Sequence, residues 1–315
     1  MNNTLVAGGA GFIGSHLCKV LLEKSSKVIC VDNLITGSRK NIEDLFNNPS
    51  FEFIKFDITC NFQKIVSKLG KINRIYHLAS PASPIQYQRY PVETLMANSL
   101  GTYFLLKLAY ATSAKFLYAS TSEVYGNPKE HPQKETYFGN VNSFGPRACY
   151  DEAKRFGEAL VYTFIDKYRV DARIVRIFNT YGPNMEENDG RVISNFINQA
   201  LKGKDITIYG DGRQTRSFCY VSDMVEGLVA SLEKEITNGE VINLGNDDER
   251  SILEIADLIL KLTAANSKIA FKDLPEDDPE KRKPDIKKAR QLLLWFPKIT
   301  LAEGLKKTID YFKNL

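Results

Sequence analysis

No stretch of the 315-residue chain comes near the roughly 20 consecutive apolar residues that span a bilayer. No secretory leader is legible either, because the first apolar run, residues 5–7, breaks at once into glycine. Cysteine is sparse. The five residues at positions 18, 30, 60, 149 and 219 are odd in number and show no CxxC spacing, which argues against a disulfide scaffold and reads as reduced thiols in a cytosolic compartment. Histidine is scarcer still. His16, His77 and His131 lie far apart and form no HExxH cluster, so a metal site and a histidine-containing triad have little to build on. An excess of one charge is also missing: 42 Lys and Arg against 38 Asp and Glu leave +4. The densest basic run, 281–290, is interrupted by Pro284 and Asp285 and follows an acidic run, and it reads as a solvated face or an anion-binding hook. No metal, no nucleic-acid partner and no membrane partner are therefore expected.

What is present is ordinary globular composition, 43% hydrophobic and 25% charged, in strand-like runs that alternate with helix-like runs. Strands are predicted at 4–7, 27–31, 51–55, 74–78, 116–119 and 172–177. Between them, helices are predicted at 12–23, at 91–111 with Pro91 in its first turn, and at 150–167. This β-α order implies an α/β fold with a doubly wound parallel sheet and helices on both faces. Past Phe178 the pattern loosens. Helices are expected at 191–201, 223–232, 252–262, 286–293 and 301–312, short strands at 206–209 and 241–244, and a surface loop at 271–284.

Between the first strand and first helix lies GGAGFIG, with Gly8, Gly11 and Gly14 spaced three apart. Glycine permits a tight turn and lets backbone N–H groups approach a pyrophosphate, to which the helix N-terminus adds partial positive charge. Asp32 ends the second strand, eighteen residues beyond Gly14. A carboxylate there accepts from both ribose hydroxyls and repels a 2′-phosphate, which predicts NAD over NADP. Asp57, followed by Ile58 after the third strand, is placed to flank an adenine. Tyr150 and Lys154 form a YxxxK pair, one helical turn apart on one face. An ammonium and a cationic nicotinamide nearby would favour the phenolate, making Tyr150 a base for an alcohol proton while hydride leaves for NAD. Ser120-Thr121-Ser122-Glu123 follows the fifth strand, where an open α/β sheet carries its ligand crevice. The bland readings are local capping for Thr121 and Ser122 and a surface ion pair for Glu123.

Together these residues resemble the extended short-chain dehydrogenase/reductases that act on nucleotide sugars, and among them the UDP-glucuronate decarboxylases. The resemblance covers almost the whole chain. It rests on GGAGFIGSHL (8–17), VDNLITG (31–37), HLASPASP (77–84), TSEVYG (121–126), GNVN (139–142), GPRACYDEAKR (145–155), RIFNTYGP (176–183), DGRVISNF (189–196), YGDGRQTRSFCYVSD (209–223) and KRKPDI (281–286). It implies a Rossmann-like NAD-binding domain at 1–178 with a return segment near 217–245, and a smaller mixed α/β nucleotide-sugar lobe at 179–315. Implied cofactor contacts are Gly8, Gly11, Phe12, Ile13, Gly14, Asp32, Asn33, Thr36, Gly37, Asp57, Ile58, Leu78, Ala79, Ser80, Tyr150 and Lys154.

Implied catalytic residues are Thr121 on the 4-oxygen of the sugar, Ser122 and Glu123 near C5 and C6, Tyr150 as base and later acid, Lys154 beside it, and Arg282 entering from the C-terminal lobe. On the substrate side the resemblance implies Asn179, Arg191, Arg216 and Arg282 along the diphosphate or sugar and Tyr209 by the uracil, with Pro84, Tyr87 and Asn195 as further candidates. The activity implied is decarboxylation of UDP-glucuronate to UDP-xylose through a transient 4-ketone. Related 4-epimerases, 4,6-dehydratases, release of a UDP-4-keto-pentose and a non-catalytic NAD sensor are the alternatives. TSE rather than TDE, and an intact Tyr-Lys pair, favour the decarboxylase. Whether Glu123 is ionised stays open. Cys149 and His77 read as packed residues rather than as a nucleophile or a catalyst. Apolar residues on more than one face of the helices 91–111 and 150–167 (Leu95, Tyr103, Phe104, Leu108, Phe156, Leu160, Phe164) lead, with the resemblance, to a homodimer through a four-helix bundle. Simple burial within one chain is the bland reading. Eukaryotic relatives often carry an N-terminal membrane anchor, whereas this sequence reaches its first strand almost at once, so a cytoplasmic location is expected.

Overall fold

The computed structural model describes residues 3–24, 26–60, 65, 69–274 and 281–315. Its centre is a seven-stranded sheet made of β1 (Asn3–Ala7), β2 (Lys27–Asp32), β3 (Phe51–Lys55), β4 (Arg74–His77), β5 (Lys115–Thr121), β6 (Ala172–Ile177) and a seventh strand, Val241–Leu244, that returns from late in the chain. All pair in parallel, in the order Val241–Leu244, β6, β5, β4, β1, β2, β3. The order reverses beside β1, so the carboxyl ends of β1 and β4 open a crevice between them. Strand side chains alternate between two cores. Leu5, Ala7, Ile29 and Val31 enter one core and Val6, Val28 and Cys30 the other.

The core of Val6, Val28 and Cys30 is covered by α1 (Phe12–Glu23) and, later in the chain, by Val221–Glu233. The core of Leu5, Ala7, Ile29 and Val31 lies under helical residues 91–112 and a 21-residue helix, Ala148–Tyr168. The predicted helix from Pro91 is not uniform. After α2 (Pro84–Arg89) come α3 (Pro91–Met96), a π-helical stretch at Ala97–Gly101, and α4 (Thr102–Thr112). The wide turn presents Asn98, fully buried, to Ser80 Oγ at 2.8 Å and to the Tyr118 hydroxyl at 3.1 Å. Gly101 leaves room for Ile58, which a Cβ would meet at 2.6 Å. With Ala148–Tyr168 numbered α5, its Gly157 leaves room for the Tyr118 hydroxyl, which a Cβ there would meet at 2.1 Å.

The C-terminal part adds β7 (Thr180–Tyr181), α6 (Val192–Leu201), β8 (Ile206–Tyr209), β9 (Thr215–Ser217), β10 (Cys219–Tyr220), α7 (Val221–Glu233), β11 (Val241–Leu244), β12 (Glu249–Ser251), α8 (Ile252–Thr263), β13 (Ile269–Lys272), β14 (Lys281–Arg282), α9 (Lys287–Leu293) and α10 (Leu301–Lys313). The expected surface loop at 271–284 needs correcting at both ends. Phe271 and Lys272 pair with β8, and Lys281 and Arg282 pair with β9; residues 275–280 of that expectation lie outside the described residues. The four-residue strands β8 and β11 stand where the sequence places them, whereas strands of two or three residues in this region carry too little alternation to be read from sequence. Among the described residues no helix is long and apolar enough to cross a membrane.

Candidate active site

The β1–α1 turn is backbone held open for something else. Gly8 has φ +81°, a conformation that glycine adopts without strain, and a Cβ there would sit 2.6 Å from the Ala79 nitrogen. A Cβ on Gly14 would lie 2.1 Å from the Gly8 carbonyl oxygen. Gly11 heads α1 with no side-chain cap, so the first-turn N–H groups are free to meet an anion at the positive end of the helix. Asp32 is buried and braces this turn: one oxygen accepts from Ala10 N at 3.0 Å, the other from Leu34 N at 2.8 Å. Burial pushes its carboxyl above the usual range, and those two backbone donors pull it back. Asp57 accepts from Asn33 Nδ2 at 2.9 Å and from Thr59 N at 2.8 Å. Burial opposes its charge, but the Thr59 and Asn33 donors prevail and hold it below its ordinary value.

Two cavities meet at this turn. The smaller, about 190 Å³, is lined by Asp32, Asn33, Asp57, Ile58 and Ala79; the larger, about 770 Å³, by Phe12, Ile13 and Gly14. Gly8, Gly11, Thr36, Gly37, Leu78 and Ser80 line both. The residues present fit a dinucleotide: a carboxylate pocket at one end, uncapped N–H groups in the middle, and a roomier chamber beyond.

The larger chamber also holds Thr121, Ser122, Glu123, Tyr150 and Lys154. The Thr121 hydroxyl accepts from Glu123 N at 3.2 Å, so it does cap the short 3₁₀ turn after β5, and it is also hydrogen-bonded to the Tyr150 hydroxyl. Tyr150 and Lys154 sit on the buried face of α5. Lys154 lies under the tyrosine ring, its Nζ 5.8 Å from the ring centroid, and donates to the Ala119 carbonyl at 2.7 Å. Burial pulls its ammonium down to about 7, against the attraction of Glu158. Burial likewise raises the Tyr150 phenol, with Thr121 pulling the other way. The protein's own groups thus keep Tyr150 protonated, and a positive charge arriving with a ligand is what would release its proton.

Glu123 is clamped. Arg282 grips it with both guanidinium nitrogens, one at 2.8 Å from Oε2, and Arg147 Nη2 lies 2.7 Å from the same oxygen. The ion pair is mostly buried, and the carboxyl is held down to about 2: burial works against the charge, Arg282 and then Arg147 outweigh it. Glu123 is therefore ionised, which answers the question left open by the sequence. Arg282 arrives through a brace: Gln133, fully buried, exchanges backbone bonds with Lys283 and Asp285 at 2.8–2.9 Å and accepts from Lys283 N through its side chain. In the β14–β9 ladder Arg282 stands opposite Arg216, which also lines the chamber.

Asn179, Arg191 and Pro84 line the chamber as well, Arg191 paired with Asp189 and stacked 5.5 Å over the Phe12 ring. Three candidates stand off its wall. Asn195 closes the first turn of α6, its N–H donating to the Arg191 carbonyl, Tyr209 is 43% exposed at the end of β8, and Tyr87 is buried, stacked face to face on Tyr150 with 4.9 Å between ring centroids. His77 is wholly buried, 3.0 Å from the Thr102 hydroxyl, and burial pulls its imidazole down to about 3; Cys149 donates weakly to the Tyr87 carbonyl. Arg147 and Asp151 escaped the sequence reading. Arg147 lies three residues ahead of Tyr150, the spacing that brings residues to one helix face, and that signal was available.

The model of the NAD dependent epimerase/dehydratase family matches residues 4–245. The chain belongs to that family. Within it, the chain is 48% identical over 310 residues to "UDP-glucuronic acid decarboxylase 1" of Xenopus tropicalis, covering 98% of this chain and 72% of that one. It is 49% identical, again over 310 residues, to the protein of the same name from Arabidopsis thaliana, covering 98% and 69%. Among solved structures, the UDP-glucuronic acid 4-epimerase of Bacillus cereus in complex with UDP-glucuronic acid and NAD is similar at TM-score 0.90 and 33% identity, with 99% of each chain covered. This relation fits the glycine turn, the Asp32 brace and the Tyr150–Lys154 pair just described.

Proposed function

We propose that the protein is an NAD-dependent UDP-glucuronate decarboxylase that yields UDP-xylose and CO₂. The observation that carries this reading is Glu123, clamped by Arg147 and Arg282 in the wall of the chamber that holds Thr121, Tyr150 and Lys154. The names of the relatives at 48–49% identity support the same reading. Gly8, Gly11, Asp32 and Asp57 would hold NAD, which would supply reversible hydride transfer at C4 of the sugar. Tyr150, assisted by Thr121, would take the 4-hydroxyl proton and give it back. A ketone at C4 stands β to the carboxylate on C5, so the C5–C6 pair can delocalise as CO₂ leaves, and no metal is required. Arg282 and Arg147 beside the chamber would attract the substrate carboxylate, while ionised Glu123 would repel it and raise its ground-state energy. Asn179, Arg191 and Arg216 would take the diphosphate. Pro84 and Asn195 are assigned to the sugar side and Tyr209 to the uracil side, with Ser122 beside C5 and C6.

The large sheet with its return strand β11 supports a division into an NAD lobe at 1–178, joined by 217–245, and a sugar-nucleotide lobe at 179–315. A homodimer is proposed through the outer faces of residues 91–112 and α5, where Leu95, Met96, Tyr103, Tyr110, Phe156 and Tyr162 are each at least 38% exposed. Leu108 and Phe164 are instead buried within the chain, and Phe104 and Leu160 partly so. Phe156→Glu with Tyr162→Glu should yield a monomer by sedimentation. Five unpaired thiols support a cytoplasmic location.

The deciding experiment is incubation with UDP-glucuronate and NAD followed by mass spectrometry. A five-carbon sugar nucleotide with CO₂ and no net NADH is expected. An intact six-carbon product inverted at C4 would replace this reading with the epimerase.

A further inference from the structure

The contact between Glu123 and Arg282 is held from behind by a closed ring of buried groups. Glu123 and Tyr125 share the 3₁₀ turn after β5. The Tyr125 side chain is 1% exposed, and its hydroxyl donates to Asn243 Oδ1 at 2.8 Å. Asn243 is fully buried on β11, and its Nδ2 donates to the Gln133 carbonyl at 3.0 Å. Gln133, fully buried as well, grips the backbone just beyond Arg282 in three ways. Its Oε1 accepts from Lys283 N at 2.8 Å, its own N–H donates to the Lys283 carbonyl at 2.9 Å, and its carbonyl accepts from Asp285 N at 2.8 Å. Lys283 is the neighbour of Arg282, whose guanidinium returns to Glu123 and closes the ring. Tyr125, Asn243 and Gln133 line neither of the two cavities, so whatever they do for a ligand they do through Arg282 and Glu123.

The arm that carries Arg282 has little hold of its own. β14 is two residues long and meets β9 at two ladder positions. One of these sets Arg282 beside Arg216, and like charges at neighbouring ladder positions repel. Arg282 is nevertheless only 4% exposed. The Gln133 bonds supply the missing hold. Gln133 is itself fixed, since its Nε2 donates to the Glu130 carbonyl at 2.7 Å, and the Tyr125 hydroxyl accepts from Arg176 at 3.0 Å. Buried hydrogen bonds add little net stability over apolar packing of the same shape, but a fully satisfied ring specifies one geometry.

We propose that this ring, with Gln133 as its positioning residue, sets Arg282 on Glu123 and so makes the chamber prefer a sugar nucleotide that bears a carboxylate over one that lacks it. The inference rests on the decarboxylase reading, in which Arg282 attracts the carboxylate of UDP-glucuronate; the product UDP-xylose has none. With the ring opened, Arg147 alone faces Glu123. The attraction for a carboxylate then falls, and an uncharged pentose loses nothing.

The test measures binding of UDP-glucuronate and UDP-xylose by calorimetry. It uses NAD-loaded protein in the Tyr150→Phe background, so that the substrate is not consumed. Gln133→Met keeps the backbone bonds and removes those of the side chain. With native NAD content and melting temperature confirmed, it should weaken UDP-glucuronate about tenfold and UDP-xylose less than about twofold. Tyr125→Phe, which removes one hydroxyl from the opposite side of the ring, carries the same expectation and decides the matter if Gln133→Met does not fold. In an Arg282→Ala background neither substitution should change either ligand by more than about twofold, because a residue that acts through Arg282 then has nothing left to position. Equal weakening of both ligands, no weakening of UDP-glucuronate, or a loss that persists without Arg282 overturns the proposal. Absence of CO₂ release by the wild type overturns the decarboxylase reading instead, and the binding comparison still judges the ring.

Discussion

The two ends of the cleft are built on opposite plans. At the β1–α1 turn the working groups are backbone N–H groups and the side chains are mostly absent; the turn and its acidic partner lie within the first 37 residues, and residues 56–59, 78–81, 92–93 and 96–97 complete the smaller cavity. At the reacting end the working groups are charged or hydroxyl side chains, and Glu123 and Arg282 meet across 159 positions of sequence. A site made of close backbone is damaged by adding an atom. A site made of opposed charges is damaged by taking one away.

Five experiments would break or sharpen that contrast. Tyr150→Phe removes one hydroxyl from the reacting end and should lower turnover by about 10³-fold while leaving NAD affinity within about twofold by calorimetry. Retained turnover would mean that the proton is taken elsewhere. Glu123→Ala leaves Arg147 and Arg282 facing each other without their counter-charge, and should cost about 3–5 kcal/mol of stability in urea unfolding. Its pH dependence carries a definite sign. The folded carboxyl sits at about 2, below its ordinary 4.5, so its contribution is complete above pH 4.5 and is lost as the pH falls through about 2. Wild type should therefore lose stability more steeply than Glu123→Ala across that window; parallel curves would show that the clamp contributes nothing. Gly14→Ala drives a methyl into the Gly8 carbonyl and should cost about 1–3 kcal/mol and abolish NAD binding. Asp32→Ala, the mildest, frees two backbone donors beside the adenosine end and should weaken NAD by about tenfold, or about 1.4 kcal/mol. An unaltered affinity would show that the turn holds its shape without the brace.

Much of this was legible in the residues, for reasons that differ by region. The parallel sheet was readable because buried parallel strands run apolar without interruption and their crossover helices have a 3.6 period. Tyr150 and Lys154 were readable as a pair because a helix brings i and i+4 together. Strands β7, β9, β10, β12 and β14 were not, since two or three residues cannot show a period, and β13 runs into a polar stretch that reads as a loop. The π-helical stretch at Ala97–Gly101 was hidden as well: its cause is packing of Asn98 and Gly101 against Ser80, Tyr118 and Ile58, which lie elsewhere in the chain. Arg147 was overlooked although its spacing from Tyr150 pointed to the same face.

By itself the amino-acid sequence determined the α/β class, the glycine turn with its acidic brace, and the tyrosine–lysine pair, all consequences of local backbone geometry and short spacings. Only the tertiary structure decided the charge on Glu123, the protonation of Tyr150 and the meeting of Arg282 with the turn after β5. Those depend on burial and on Coulomb interactions over a few ångströms, and folding alone brings such distant residues within that range.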